Sequence, residues 1–379
     1  MTDLEVRLVR ADAELQVLRL EWQRLYAAAP RNPFLSFEWT MACRRHICPQ
    51  AEAFVLTAWD GDRLAGVAPL RRERALGFRV LRFLADGRAD YLGFLTDPTY
   101  PGVEGVLLDA LGASRDGWDL ALLRNLCTDF TALDRAAAPK GCFTADTEGT
   151  LAPHLAYAGT WEELRAAGPT QLRHCQRPAR KFEREGGTVE RITGPEAADR
   201  VHDVAEVEAH SWKGDRGYAR FQPGPGQELL RDALRELGAR REVELWVARR
   251  EGRPLAFLVN FLTPERVCYY QGSYRADARK WYPGGVLHYY AIRRAWEAGL
   301  REYDFMVGDE AYKSGWTNGI RPVRHRAVYP NTVRGRLAFG ALVAPRWRLR
   351  QSPRARAALR LWRQIRSNPA GVLQRRPAG

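Results

Sequence analysis

The stretch Pro283–Trp316 reads PGGVLHYYAIRRAWEAGLREYDFMVGDEAYKSGW and contains the strongest local signals in the chain. Its Pro-Gly-Gly start predicts a helix over about residues 286–298, which Gly299 ends as a natural C-terminal stop. The apolar run Tyr303–Val307 predicts a buried strand that ends at Gly308. Because α/β sheets carry their sites just beyond the carboxyl ends of strands, the polar residues after Gly308 are candidates for chemistry.

The second part of this stretch resembles a known signature. The run YDFMVGDEAYKSGW at 303–316 is similar to the D-F-x-x-G-D-E-x-Y-K-x-x-W pattern of CelD-like acetyltransferases, which belong to the GNAT superfamily of acyl-CoA-dependent N-acyltransferases. The Pro-Gly-Gly-x-Leu helix start also fits, and the resemblance extends over about residues 170–329. Fem-type peptidyltransferases share the tandem GNAT-like fold and a related Tyr-Lys element, but their donor is aminoacyl-tRNA. The resemblance therefore implies acyl transfer to an amine, and it leaves both donors open.

The order of predicted elements indicates a duplication. A unit of strand, two helices, hairpin, strand, helix and strand occurs twice, which predicts an α/β fold of tandem GNAT-like domains, each a mixed twisted sheet flanked by helices. We expect an N-terminal degenerate domain at 1–160, because this copy lacks both the Pro-Gly-Gly start and the Gly-Asp-Glu-x-Tyr-Lys run. The acyltransferase domain is expected at 165–330, and an Arg-rich, helical tail at 331–379.

A phosphate site is expected at the start of the long helix. The backbone N–H groups of Gly284, Gly285 and Val286 lie at a helix N-terminus, which favours anions, and Arg279 and Lys280 precede them. The resemblance implies that the pyrophosphate of acyl-CoA binds there. The segment RADARKWYPGG at 275–285 has the cations and one Gly pair, but it departs from the Gly-rich loop that GNAT folds commonly carry. The sequence therefore also allows aminoacyl-tRNA.

Four residues are candidates for proton transfer. Acyl transfer from a thioester needs a base for the amine, and Asp309 or Glu310 is the first choice, although both residues also suit a helix cap. Tyr312 is a candidate acid for the leaving thiolate, or else a buried tyrosine with a bonded hydroxyl. His210 is the alternative base because its pKa lies near neutrality, or else a structural residue at a helix end. The chain contains no evident Ser-His-Asp or Cys-His arrangement, so we expect direct attack by the amine.

Five further side chains are candidates for binding. Lys313 is expected to bind a donor phosphate or an acceptor carboxylate, or to be a surface lysine. Trp316 suits substrate stacking or packing. Trp212 and Lys213 end a predicted helix where a GNAT fold places acceptor contacts, and CelD-like proteins carry a similar Trp-Lys pair. Gln271 lies on the strand that the resemblance implies pairs with the pantetheine arm of the donor.

The net charge is concentrated in the tail. Residues 331–379 contain twelve arginines and no acidic residue, out of a net charge of +14 for all 379 residues. The segment RARAALRLWRQIR at 354–366 predicts a basic amphipathic helix, which suits an anionic membrane surface, the phosphates of tRNA, or docking on the body. Partner inferences from charge therefore concern the tail and not the nearly neutral body.

Other patterns restrict the compartment and the cofactors. No signal peptide or membrane-spanning run is evident, the six cysteines form no C-x-x-C pair, and the histidines show no metal-ligand spacing. We expect a protein without a metal, in the cytoplasm or peripheral to the inner face of the membrane. The acceptor is expected to be the amine of a small molecule or of an envelope precursor. A non-catalytic protein that binds membrane or RNA is a third possibility, against which the Gly-Asp-Glu-x-Tyr-Lys run argues.

Overall fold

A computed structural model describes residues 4–308 and 310–342. Its strands are β1 (Glu5–Val9), β2 (Glu52–Asp60), β3 (Arg63–Ala75), β4 (Phe78–Phe83), β5 (Leu95–Thr96), β6 (Leu120–Cys127), β7 (Cys142–Ala156), β8 (Gly187–Thr193), β9 (Val243–Arg250), β10 (Arg253–Leu262), β11 (Arg266–Tyr274), β12 (Glu302–Asp304) and β13 (Gly319–Pro330). Its helices are α1 (Asp12–Val17), α2 (Arg19–Ala28), α3 (Phe37–His46), α4 (Val103–Ala113), α5 (Trp161–Ala167), α6 (Thr170–Arg184), α7 (Val201–Ala209), α8 (Trp212–Asp215), α9 (Pro225–Ala239), α10 (Pro283–Glu297), α11 (Ala311–Ser314) and α12 (Val333–Leu342).

The strands form one mixed sheet whose two halves repeat the same order. The sheet runs β1-β2-β3-β4-β6-β13-β7-β12-β11-β10-β9-β8, and β5 pairs with β3 outside this path. Each half contains one parallel pair, β4 with β6 and β11 with β12. A helix, α4 or α10, lies between the two strands of each pair in the sequence, as a parallel connection requires. The predicted α/β class and the two successive copies are therefore confirmed.

Strands β7 and β13 are exchanged between the halves, a feature that the sequence did not predict. β7 follows β6 in the chain but pairs with β12, whereas β13 follows β12 but pairs with β6. The two long strands also pair with each other, from Gly319 opposite His154 to Pro330 opposite Cys142. The exchange joins both halves through backbone hydrogen bonds, so a division of the chain near residue 160 stays a prediction.

The halves also share an apolar core on one side of the sheet. Trp39 of α3 is fully buried, and its ring lies 5.2 Å from the rings of Phe261 and Tyr270 in the second half. Phe34 packs edge-on against Phe261 at 5.3 Å. Aromatic burial of this size is a main source of folding free energy, so it fixes the position of the first half on the second.

The tail begins with a helix that packs on the body. In α12, Ala338 is fully buried, and the ring of Phe339 lies 5.4 Å from that of Tyr329. Arg334 of α12 forms an ion pair of 3.1 Å with the buried Asp119. The predicted amphipathic helix at 354–366 lies outside the described residues. Along 4–308 and 310–342, no helix combines the length and the hydrophobicity that crossing a membrane requires.

Candidate functional site

The candidate site lies where β11 and β12 separate. These parallel strands pair only from Arg266 opposite Glu302 to Cys268 opposite Asp304, and β11 then continues to Tyr274 paired with β10 but not with β12. The sequence predicted that the second strand would continue to Val307, which is not observed. A gap between two strands of a buried sheet exposes backbone groups that a ligand can pair with.

Asp304 ends β12 and connects it to the first half. Its carboxylate accepts hydrogen bonds from the backbone N–H of Met306 at 2.8 Å, from Tyr91 Oη at 2.9 and 3.0 Å, and from Arg321 Nη1 at 2.6 Å. The bond to Met306 closes an Asx turn, and Met306 takes a left-handed φ of 59°, so the strand cannot continue. Burial raises the pKa of Asp304 and the charge of Arg321 opposes the rise. Asp304 therefore has a structural role, because its carboxylate connects β12 to Tyr91 of the first half and to Arg321 of β13.

Lys313 is the buried cation of the site. Its side chain is 5% exposed, and its Nζ lies 2.9 Å from Glu310 Oε2 and 3.1 Å from the carbonyl oxygen of Val307. It is therefore not the surface lysine that the sequence allowed. An ammonium group fixed in this way needs no reorganisation to face a developing negative charge. Glu310, at the N-cap of α11, has a 58% exposed side chain and reaches the same point from the solvent side.

Asp90, a half-buried residue of the first half of the chain, interacts electrostatically with Lys313 and Glu310, and nothing in the sequence pointed to it as a functional residue. Burial raises the pKa of Asp90 to about 7; the charges of Lys313 and Arg220 lower it, and those of Asp304 and Glu310 raise it. The backbone beside it is fixed, because Tyr270 Oη donates to the carbonyl oxygen of Arg88 at 3.1 Å and Tyr91 bonds to Asp304. A carboxylate with a pKa near neutrality and cations in range is a strong candidate for a general base.

Lys213 approaches from the opposite side of the gap. Its Nζ donates to the carbonyl oxygen of Gly272 at 2.8 Å and to Gln271 Oε1 at 3.2 Å, both on β11. Burial lowers the pKa of Lys213, whereas the charges of Glu208 and Glu310 oppose this change. The structure thus brings Lys213 and Gln271 together at the gap. Glu208 is itself buried; its Oε2 accepts the backbone N–H groups of Arg220 and Phe221 in the loop after α8, and its Oε1 has no hydrogen-bond partner among the residues that the structure describes.

Aromatic side chains form the base of the site around His288. The imidazole of His288 lies 4.7 Å from the ring of Tyr269 and 5.3 Å from that of Trp316. Burial, with Lys313 nearby, lowers the pKa of His288 to about 3, so the ring is neutral. Trp316 is 2% exposed and packs here, which supports packing over substrate stacking. His288 was not identified from the sequence, where it was one residue of the helix predicted over about residues 286–298.

Tyr312 lies at the mouth of the site. About half of its side chain, 47%, is exposed, but its hydroxyl end lies against Tyr269. Desolvation of this hydroxyl, with Tyr269 beside it, raises the pKa of Tyr312 well above its usual value. A tyrosine in this state keeps its proton at neutral pH.

His210 and Trp212 are not part of this cluster of charges. His210 ends α7, where its Nδ1 lies 2.9 Å from the carbonyl oxygen of Glu206, and its own carbonyl accepts the N–H of Ala276 at 2.9 Å. These contacts favour a structural role for His210 over a role as a base. Trp212 is 47% exposed, with Arg216 over its ring at 5.7 Å, so it lies on the surface next to Lys213. Asp309 lies outside the described residues.

The predicted phosphate site at the start of α10 is partly covered. Tyr282 is the N-cap of α10 with a left-handed φ of 51°, and its hydroxyl donates to Gln171 Oε1 at 2.9 Å. Its ring lies so close to Gly285 that a Cβ there would collide with it. Gly285 is therefore required for packing as well as for access to the backbone. A 3₁₀ turn, Ala276–Trp281, stands where a Gly-rich loop was sought, and it leaves Arg279 and Lys280 exposed.

Comparison with known proteins identifies the second half most clearly. Residues 170–314 match the family model of the acetyltransferase (GNAT) domain. No curated protein sequence matches the chain. Among solved structures, FemX covers 85% of this chain and 98% of its own length with 14% identity and a TM-score of 0.61.

Two further solved structures share the fold. The C-terminal domain of a putative lysylphosphatidylglycerol synthetase from Agrobacterium fabrum covers 80% of this chain and 95% of its own, with 13% identity and a TM-score of 0.52. L-PGS from Bacillus licheniformis covers 85% and 92%, with 14% identity and a TM-score of 0.52. At these identities the likeness concerns the fold alone. Residues 170–314 therefore match a GNAT acetyltransferase domain, and the chain shares its fold with FemX.

Proposed function

We propose that the protein is an N-acyltransferase that moves an acyl group, most simply acetyl, from acyl-CoA to an amine. The buried Lys313, the lysine Lys213 that bonds to β11, and Asp90, whose raised pKa is opposed by the charge of Lys313, together carry this proposal. A base with a pKa of about 7 and two cations with low solvent access match the needs of amide formation. The acceptor is the amine of a small molecule or of an envelope precursor.

Each group has a role in direct attack. Asp90 accepts a proton from the amine as its nitrogen bonds to the donor carbonyl carbon. The ammonium of Lys313 stabilises the oxyanion of the tetrahedral intermediate. The carbon–sulfur bond then breaks, and Tyr312, which keeps its proton at neutral pH, protonates the leaving thiolate. Lys213 binds a negative group of the acceptor, and Glu310 holds Lys313 in place.

The donor proposal rests on the separated strands and on the start of α10. The free edge of β11 beyond Cys268 has the extended backbone that an amide-containing pantetheine arm would pair with. The N–H groups of Gly284 and Gly285 suit a pyrophosphate once the ring of Tyr282 turns away. If the donor is acyl-CoA, the reaction belongs to the cytoplasm or to the inner face of the membrane.

A second candidate function is aminoacyl transfer from aminoacyl-tRNA. Two observations favour it: Tyr282 covers the first turn of α10, and a 3₁₀ turn replaces the Gly-rich loop. The fold shared with FemX is consistent with this candidate as well. The base and the oxyanion donor would have the same roles, since the amine would attack an ester carbonyl in place of a thioester carbonyl.

Titration calorimetry with acetyl-CoA, and separately with a CCA-ended aminoacylated RNA, tests the donor. We expect acetyl-CoA to bind with a micromolar to submillimolar dissociation constant, and Lys313→Met to bind it as well while losing turnover. Acyl transfer would then be measured with a panel of amines. No heat with millimolar acetyl-CoA, together with turnover only on charged RNA, would replace the acyl-CoA proposal with the second candidate.

A further inference from the structure

The outer side of α12 carries aliphatic side chains that the body does not cover. Val333 and Leu337 are 77% and 59% exposed, whereas Gly335 and Ala338 on the other side of the helix are buried. Residues four apart lie on the same face of a helix, so α12 packs one face on the body and leaves a second apolar face in solvent. A surface helix ordinarily carries polar residues on the solvent side.

A third exposed aliphatic side chain lies beside the first turn of this helix. Leu76, in the two-residue turn between β3 and β4, is 83% exposed. Leu76 and Gly77 both take a left-handed φ, of 51° and 81°. Asparagine, aspartate or glycine is the ordinary first residue of such a turn, so neither the turn nor packing accounts for a leucine there. Arg334 Nη2 of α12 donates to the carbonyl oxygen of Gly77 at 2.9 Å, which places the turn against α12.

Positive charge surrounds these aliphatic side chains. Residues 74–79 and 331–342 contain four arginines and no acidic residue. Two of the four bind the buried Asp119. The other two, Arg74 and Arg336, are exposed and form no ion pair with any residue that the structure describes. We refer to the three aliphatic side chains and these two arginines together as the α12 patch.

The chain continues from the α12 patch into the Arg-rich part of the tail. Residues 343–379 contain ten arginines and no acidic residue, and they follow the last turn of α12 directly. Their positive charge is therefore attached to the body beside the patch. Firm binding to an anionic bilayer takes two contributions, aliphatic groups that enter the headgroup region and basic residues that attract the lipid phosphates. The patch and the tail supply one contribution each.

Two other partners fit the α12 patch less well. Single-stranded nucleic acid stacks its bases on aromatic rings, whereas the exposed apolar side chains of the patch are aliphatic. A second copy of this chain would bring its own unpaired arginines against those of the first copy, and repulsion between like charges would oppose that contact.

We propose that the α12 patch is the surface with which the protein docks on an anionic phospholipid membrane. Leu76, Val333 and Leu337 enter the headgroup region, and Arg74 and Arg336 contact lipid phosphates. The tail supplies the long-range attraction, and the patch decides which face of the body meets the bilayer. The inference concerns membrane binding alone, so it does not depend on the donor or the acceptor of the proposed reaction.

Co-sedimentation with vesicles tests the patch. The full chain and the triple variant Leu76→Asn/Val333→Gln/Leu337→Gln would be mixed with vesicles of equal amounts of phosphatidylglycerol and phosphatidylcholine. We expect the triple variant to bind roughly tenfold or more weakly, because it removes the apolar area that enters the bilayer. Salt should weaken binding by both chains, but their ratio should persist, since burial of aliphatic groups is not screened.

The matched control is the double variant Val17→Gln/Leu20→Gln. Val17 on α1 and Leu20 on α2 are as exposed as the side chains of the patch, and this variant should bind vesicles as the parent does. The triple variant should fold normally, because Asn-Gly suits the turn and glutamine suits a helix, and circular dichroism checks this. The single variant Leu76→Asn, which leaves α12 unchanged, should weaken binding several-fold.

Equal vesicle binding by the triple variant and the parent would overturn the proposal. Further measurements would then identify what covers the patch. A parent dimer that becomes a monomer in the triple variant, seen by sedimentation velocity, would assign the patch to a second copy. A melting temperature lowered by the substitutions in the full chain, but not in a chain cut after Leu342, would assign it to the tail. Loss of tRNA binding in the triple variant would assign it to RNA.

Discussion

Asp90 is the residue whose environment most favours proton transfer. Burial raises its pKa to about 7, while Lys313 and Arg220 keep its ionised form accessible. We expect Asp90→Asn to lower kcat/KM roughly 10²-fold to 10⁴-fold, since general-base catalysis contributes that much. In the full chain kcat/KM should rise with pH up to about 7 and then level off, and this rise should be absent in Asp90→Asn.

Glu310→Gln is the matched control for this experiment. Glu310 reaches the same cluster from solvent, so its neutral isostere should lower the rate through Lys313 but leave the pH break near 7 in place. A normal rate in Asp90→Asn combined with loss of the pH break in Glu310→Gln would return the role of base to the residues that the sequence suggested.

The same pKa predicts an effect on stability. Asp90 is protonated in the folded state below about pH 7, whereas in the unfolded state it ionises near 3.9. Between these values the folded state binds more protons, so the contribution of Asp90 to stability falls as pH rises from about 4 to about 7. Asp90→Asn should therefore be more stable than the parent at pH 8, by on the order of 1–2 kcal/mol, and nearly equal at pH 4. Urea unfolding at both pH values measures the difference, and an equal gap at both would contradict the raised pKa.

Lys313 is expected to act on the transition state and Lys213 on binding. Lys313→Met should lower kcat roughly 10²-fold to 10³-fold with little change in KM, because it removes an oxyanion donor. Lys313→Arg should not restore the rate, since the 5% exposed ammonium is enclosed by the carbonyl of Val307 and by Glu310. In contrast, Lys213→Met should mainly raise KM for the acceptor. Steady-state kinetics on the three variants separates these roles, and a pure KM effect in Lys313→Met would exclude oxyanion stabilisation.

At the scale of elements, the start of α10 combines a strained residue with a covered anion site. A tyrosine at φ 51° costs on the order of 1 kcal/mol, and its ring lies over Gly285. If the ring must move before the donor can bind, the fraction of molecules in which the ring covers Gly285 lowers the apparent affinity for the donor. Tyr282→Gly should therefore bind acetyl-CoA several-fold more tightly, whereas Tyr282→Phe, which loses only the bond to Gln171, should change little. Weaker binding by Tyr282→Gly in calorimetry would mean that the ring is part of the donor site.

At the scale of the molecule, the first helix of the tail belongs to the body. Hydrogen bonds from Arg79 and Arg334 hold the pKa of Asp119 below its usual range against the effect of burial, and Phe339 packs on Phe143 at 5.6 Å. A chain cut after Leu342 should keep the melting temperature of the full chain within a few degrees. A chain cut after Pro330 loses these contacts and should melt lower by roughly 5 °C or more. Equal melting temperatures in calorimetric scans would show that α12 contributes nothing to the folded body.

The part of the tail after Leu342 carries most of the net positive charge of the chain. Ten arginines and no acidic residue follow Leu342. The 1–342 chain should therefore lose most binding to anionic vesicles or tRNA, and binding by the full chain should weaken as salt rises, because counterions screen it. Co-sedimentation with each partner measures this and separates the two partners. Unchanged binding by the 1–342 chain would assign the interaction to the body.

Features that depend on neighbours along the chain could be predicted from the sequence. The Pro-Gly-Gly start and the stop at Gly299 predicted α10, and the order of predicted elements indicated the duplication, because such signals follow from local backbone geometry. The run 303–316 identified the loop that carries Glu310, Tyr312 and Lys313. The strand before it is shorter than its apolar run suggested, since the Asx turn at Asp304 overrides β propensity.

Contacts between residues far apart in the chain could not be predicted from the sequence and became visible in the folded structure. Asp90 is an ordinary acidic residue in the sequence, and it gains its role because Tyr91 next to it bonds to Asp304 across a separation of 213 residues. The exchange of β7 and β13, and the cover that Tyr282 places over α10, have no local signal either. Strand order and the electrostatic environment of a side chain depend on which surfaces are buried together. That choice is made by the free energy of the whole fold, and no window of sequence contains it.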